Sequence, residues 1–133
     1  MSNQYSQSEI DSAELRYMAG MKKVEREKEK NYQQKRAIME ELDIHNEALE
    51  RMRQWNDKFS QIISQTPQDI ALYDKLLEEY DFATYQTEQY FEEKMAENTR
   101  ANIALCEKEE ALKKDFREAL TKQSKRVLLL VLA

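Results

Sequence analysis

The chain has 133 residues, of which 35% are charged, with a net charge of −5 and one residue each of Gly, Pro and Cys. That length allows one ordinary domain, and the scarcity of Gly and Pro excludes a fold with many turns. The negative charge argues against a nucleic-acid-binding protein, which would need a basic stripe. The lone Cys106 excludes an intramolecular disulfide and favours a reducing compartment, so we expect a cytoplasmic protein.

The first predicted helix runs from about residue 8 to residue 64, after a polar segment that we expect to be a frayed tail. Along it, one line of residues recurs in alternating steps of four and three, which is typical of a helix that packs along a single seam. The seam positions are Tyr17, Met21, Val24, Lys28, Asn31, Lys35, Ile38, Leu42, His45, Leu49, Met52, Asn56, Phe59 and Ile63.

A turn is predicted at residues 64–68, around the only proline. Pro67 is tolerated in the first turn of a helix, because the N–H that it lacks would have no partner there. Thr66 directly before it can act as the N-cap of a second helix.

The second predicted helix runs from about residue 68 to residue 126 and carries a matching seam. Its positions are Ile70, Tyr73, Leu77, Tyr80, Thr84, Thr87, Phe91, Lys94, Asn98, Ala101, Leu105, Lys108 and Leu112. Folding the chain at Thr66-Pro67 places Phe59 near Tyr73 and Leu42 near Phe91. The sequence therefore predicts an all-α fold over residues 1–133, a long antiparallel two-helix hairpin that resembles a coiled coil.

Aromatic residues gather near the turn, since eight of the twelve lie between Trp55 and Phe91. Apolar residues there occupy a wider arc than one partner helix can cover, and aromatics are enriched at binding surfaces. We therefore predict a partner-binding surface made of Ile44, Trp55, Ile62, Phe82, Tyr85 and Tyr90. The partner could be a different helical chain or a second copy in a homodimer, or the hairpin could curl and cover these residues itself.

No catalytic constellation is recognisable in the sequence. His45 is the only histidine, and its place on the seam predicts a buried side chain. A di-iron site would need two Glu-x-x-His pairs, and a phosphate loop would need several glycines. The apolar residues 127–132 are too few to span a bilayer. We expect a protein that is not an enzyme, binds no cofactor or metal, and has no membrane span.

Between His45 and Leu120 the chain carries a series of loosely spaced motifs. They are Asn46, Leu49, Trp55 and Asp57, then Ile70-Ala71-Leu72-Tyr73-Asp74 with Leu77-Glu78-Glu79, and finally Glu109-Glu110-Ala111-Leu112 with Arg117 and Leu120. In these motifs the chain resembles a small helical family encoded beside LXG-domain toxins of Gram-positive bacteria. The resemblance implies a chaperone or targeting factor that binds the helical LXG domain of a toxin in the cytosol. With a WXG-like companion, it would present that toxin for type VIIb secretion.

Two other functions are compatible with a helical hairpin. One is a coiled-coil stalk or adaptor of a type III or flagellar-type export apparatus, for which the mixed-sign charges of residues 22–36 are suitable. The other is a self-associating structural coiled coil. A partner-binding function predicts that Trp55→Glu or Phe82→Glu abolishes complex formation while the helical content is kept.

Overall fold

The structure, a computed structural model, describes residues 2–63 and 66–132, and these form two α-helices and no strand. Helix α1 spans Ser2–Ile62 and helix α2 spans Pro67–Leu132. They pack against each other as an antiparallel hairpin, which confirms the predicted fold class. Both helices are longer than expected: α1 begins at Ser2, in the segment predicted to fray, and α2 continues to Leu132.

Helix α2 begins as the sequence predicts. Pro67 is its first residue, and the backbone N–H of Asp69 donates a hydrogen bond to Thr66 Oγ1 at 3.2 Å. The Thr66 carbonyl accepts the first bond of the helix, from the Ile70 N–H at 3.0 Å. Thr66 is therefore the N-cap, and it satisfies a donor that would otherwise lack a partner. The rest of the predicted turn, Ser64 and Gln65, lies outside the described residues.

The chain divides into two compact units, which we name by their position in the hairpin. The terminal unit contains Met1–Tyr32 and Thr99–Ala133, and the turn unit contains Gln33–Asn98. Each unit contains one segment of α1 and one segment of α2.

The terminal unit has a small core at its seam. Ala13, Val24 and Leu105 are buried, and the rings of Tyr17 and Phe116 stack with their centroids 4.9 Å apart. Gly20 lets the helices approach closely, because a Cβ built on it would lie 2.7 Å from Leu112 Cδ2.

A half-buried ion pair joins the two helices within the terminal unit. The Lys28 ammonium donates to the Glu109 carboxylate, and Lys113 Nζ lies 3.1 Å from the other oxygen of Glu109. The hydrogen bonds from Lys28 and Lys113 lower the pKa of Glu109, and the bond to Glu109 raises the pKa of Lys28. Both groups therefore favour their charged forms in the folded chain.

The turn unit buries only a few side chains. Ile38 and Phe91 are its buried apolar residues among those described, and Asn56 and Asn98 are its buried polar ones. The rings of Phe59 and Tyr73 stack with centroids 6.4 Å apart, which confirms the predicted register at that point. Within α2, the hydroxyls of Thr84 and Thr87 donate to the backbone carbonyls of Tyr80 and Ala83, one turn earlier.

Candidate partner-binding surface

All six residues predicted to bind a partner are exposed, and all six lie in the turn unit. Their exposed fractions range from 48% at Tyr90 to 81% at Ile62, with Trp55 at 74%. Side chains of this size are normally at least partly covered in a monomer. The described residues of the turn unit therefore expose more large apolar side chains than they bury.

The helical register sorts these side chains onto different sides of the turn unit. Trp55 and Ile62 directly precede the seam residues Asn56 and Ile63, and Tyr90 directly precedes the seam residue Phe91. In an antiparallel pair, residues that precede the seam on one helix lie beside those that precede it on the other. Trp55, Ile62 and Tyr90 thus lie on one side.

The structure supports this assignment with a groove on that side. The groove has a volume of about 450 Å³ and is lined by Glu41, Ile44, His45, Gln86, Thr87, Tyr90 and Phe91. It brings Ile44 of α1 and Tyr90 of α2 to the same opening. Four of the six predicted residues, Ile44, Trp55, Ile62 and Tyr90, therefore belong to one face.

We call this surface the apolar face and define it by the side chains that share its register. Alanines occupy the intervening positions, which leaves low points between the larger residues. Its members are Ile44, Ala48, Trp55 and Ile62 on α1, with Leu72, Leu76, Ala83 and Tyr90 on α2. Leu72 is 48% exposed and was not predicted as a site residue, although it lies four residues before Leu76. That spacing is the signal that could have identified it.

The prediction that His45 is buried is wrong, because its side chain is exposed. Its ring lies edge-on to Phe91, with centroids 5.3 Å apart, and it lines the groove. Tyr90 also contacts Phe91 edge-on at 5.0 Å, and Lys94 Nζ lies 5.6 Å from the centre of the Tyr90 ring. Phe91 is thus buried beneath two rings that themselves remain accessible.

Phe82 and Tyr85 do not join the apolar face. Phe82 lies two residues before the seam residue Thr84 and Tyr85 lies one residue after it, so both point away from the groove. They are 62% and 60% exposed. The six predicted residues therefore form one group of four and a separate pair on the outer side of α2.

The opposite side of the turn unit is acidic. Its register positions carry Asp43, Glu50, Asp57, Asp74, Glu78, Asp81, Glu88 and Glu92, and Tyr85 shares the register position of Glu78 and Glu92. Arg53 lies among them, with Nε 3.0 Å from Glu50 Oε2 and Nη1 3.5 Å from Asp57 Oδ2. The hydrogen bond from Arg53 lowers the pKa of Glu50. A surface with this density of carboxylates is costly to remove from water.

Comparisons with protein-family models, with curated proteins and with solved structures each returned no match.

The helices of the described residues contain no apolar stretch that would span a lipid bilayer. Within residues 2–63 and 66–132, no three His, Cys, Asp or Glu side chains are grouped so that they could hold a metal ion.

Proposed function

We propose that this chain is a non-catalytic binding protein whose apolar face packs against α-helices of another polypeptide. The observation that carries the proposal is the contrast between the two sides of the turn unit. One side presents Trp55, Ile62 and their neighbours to solvent, and the other presents eight carboxylates. Contiguous exposed apolar surface of this kind marks interaction sites.

The expected gain from covering the apolar face is large compared with the gain from any polar contact there. Burying one Ile, Leu or aromatic side chain contributes about 1.5–3 kcal/mol, and the face holds several that are half or more exposed. Exposed ion pairs contribute about 0–1 kcal/mol each. Affinity would therefore come from the apolar residues, with Trp55 as the central anchor.

The resemblance to helical partners of LXG toxins supplies the class of partner. Under this proposal the chain is a cytoplasmic chaperone or targeting factor, and the occupant of the apolar face is the helical LXG domain of a secreted toxin. Such a domain presents amphipathic helices, whose apolar stripe would cover the face. An export-apparatus stalk is the alternative, and it accounts less well for an apolar face confined to the turn unit.

Co-expression with the helical domain of an LXG toxin tests this function. We expect the wild-type chain and the domain to co-purify as a complex, and Trp55→Glu to remove that complex while far-ultraviolet circular dichroism stays helical. The matched control is Met39→Glu, since Met39 is 51% exposed in the same unit but follows, and does not precede, a seam residue. Its complex should persist.

Phe82→Glu separates the two groups of predicted residues. If only the apolar face binds, the complex survives this change. Loss of the complex with Phe82→Glu and its survival with Trp55→Glu would transfer the binding function to the outer side of α2. A loss of helical content in the isolated Trp55→Glu protein would show that Trp55 belongs to the core, and the proposal would be wrong.

A further inference from the structure

The edges of the apolar face carry opposite charges. On α1 its solvent edge holds Arg51 and Lys58, and on α2 its solvent edge holds Glu79 and Glu93. None of these four side chains makes an ion pair with another described residue, in contrast to Arg53 on the opposite side. The face therefore combines an apolar centre with one basic and one acidic border, both available to a partner.

A surface with this arrangement is complementary to itself. When two hairpins pack face to face about a two-fold axis parallel to their helices, α1 of each lies against α2 of the other. On both sides of the interface, Glu79 of one copy then lies level with the segment between Arg51 and Lys58 of the other. In the other two-fold arrangement, α1 meets α1, and like charges face each other at a cost. Charge complementarity therefore selects the first arrangement.

The sizes of the side chains agree with the same arrangement. The Phe59–Tyr73 and His45–Phe91 ring contacts set which residues of α1 and α2 are level with each other. By that register, Trp55 of one copy lies between the levels of Leu76 and Ala83 on α2 of the other. Large side chains opposite small ones allow close packing at an interface core.

We propose that the apolar face binds a second copy of this chain, giving a two-fold dimer of four helices with both turns at the same end. The dimer uses the same apolar face as the proposed helical partner. It rests on the proposed function in one respect, because the second copy and the helical partner compete for that face. The free protein is then a dimer. In the complex with the helical partner, the partner takes the place of the second copy on the apolar face.

Charge reversal tests the dimer. The first variant carries Arg51→Glu and Lys58→Glu, and the second carries Glu79→Lys. Each places like charges on facing borders, so we expect the dimer dissociation constant from sedimentation equilibrium to rise about tenfold or more. An equimolar mixture of the two should regain a dimer that contains one chain of each kind, because opposite charges meet again.

The matched control reverses two acids of the opposite side, Asp43→Lys with Asp81→Lys, and should leave the dissociation constant within about twofold. A wild-type chain that sediments as a monomer at every concentration would overturn the proposal. So would a dimer that neither reversal weakens, or a mixture that does not recover. Disulfide formation between chains bearing Lys58→Cys and chains bearing Glu79→Cys, with Cys106→Ser in both, checks the arrangement, and its absence in an intact dimer would refute the parallel two-fold axis.

Adding the toxin's helical domain distinguishes failure of the dimer from failure of the proposed function. Competition predicts that the domain converts the dimer into a complex in proportion to its concentration. If the dimer forms and the domain does not bind, the proposed function fails and the dimer stands. If the domain binds a chain that is monomeric, the dimer fails and the proposed function stands. If the domain binds the intact dimer, competition for the apolar face is wrong.

Discussion

Asn56 offers the sharpest test of how the turn unit is stabilised. Its side chain is only 7% exposed, and its Nδ2 is the one buried side-chain nitrogen or oxygen among the described residues that lacks a hydrogen-bond partner. A buried donor left unpaired costs about 1–3 kcal/mol. We therefore expect Asn56→Leu to raise the free energy of unfolding by about 1–3 kcal/mol, because the desolvation cost disappears and the seam gains apolar contact.

The assay is urea unfolding followed by circular dichroism, at one fixed protein concentration so that self-association does not shift the midpoint. Asn46→Leu is the matched control, since Asn46 lies on the same helix, directly after the seam residue His45, and is exposed. The control carries the same change in helix propensity without removing a buried amide. An Asn56→Leu variant less stable than its control by about 1 kcal/mol or more would show that the amide is satisfied and would refute the reasoning.

Three further changes test the packing inside each unit. Phe91→Ala should destabilise the chain by about 3–5 kcal/mol in the same urea assay, because Phe91 is only 3% exposed, and a loss below about 1 kcal/mol would contradict that burial. Gly20→Ala should change stability by less than about 1 kcal/mol, because improved helix propensity offsets the shift forced on Leu112, whereas Gly20→Leu should destabilise by about 1–3 kcal/mol. Glu109→Gln should lower Tm at about pH 7 and leave it unchanged at about pH 2. Because the pKa of Glu109 is lowered in the folded chain, the stability that its carboxylate contributes is present above pH 4.5 and is lost as the pH falls through the pKa of the folded state.

The seam could be predicted from sequence because it depends on one periodic property. Val24, Ile38, Phe91 and Leu105 all lie on the predicted lines and are all buried. A helix that packs along one narrow stripe must repeat its buried residues every three or four positions, whatever else varies. The turn could be predicted equally well, because a Thr-Pro pair between two such stripes leaves the chain few other places to begin a helix.

The extent of burial could not be predicted from the same pattern. His45, Met52 and Leu77 lie on the predicted seam, yet each remains exposed. Periodicity indicates which line of a helix faces its neighbour, and it contains no information on how much of each side chain one neighbouring helix can cover. The start of α1 had a similar limit, because no Gly or Pro before residue 20 marks where a helix must stop.

The composition of the candidate surface was only partly predictable. Closeness to the turn along the chain grouped Phe82 and Tyr85 with Trp55, although they point to another side. Separating them requires the antiparallel register, which fixes which flank of α2 lies beside which flank of α1. Leu72 was missed for the converse reason, since it lies near the start of α2 and belongs to the apolar face only through its spacing from Leu76.

The two sides of the turn unit together restrict what can assemble on it. A partner that covered the acidic side would have to desolvate carboxylates such as Asp43, Glu78 and Glu92, and the cost of each would exceed the gain from an exposed ion pair. The apolar face has the opposite balance, because water there already contacts Trp55 and Ile62 at a cost. The balance therefore favours the apolar face for both proposed assemblies. Under the two proposals a second copy and a helical partner use the same apolar face, so each is expected to exclude the other.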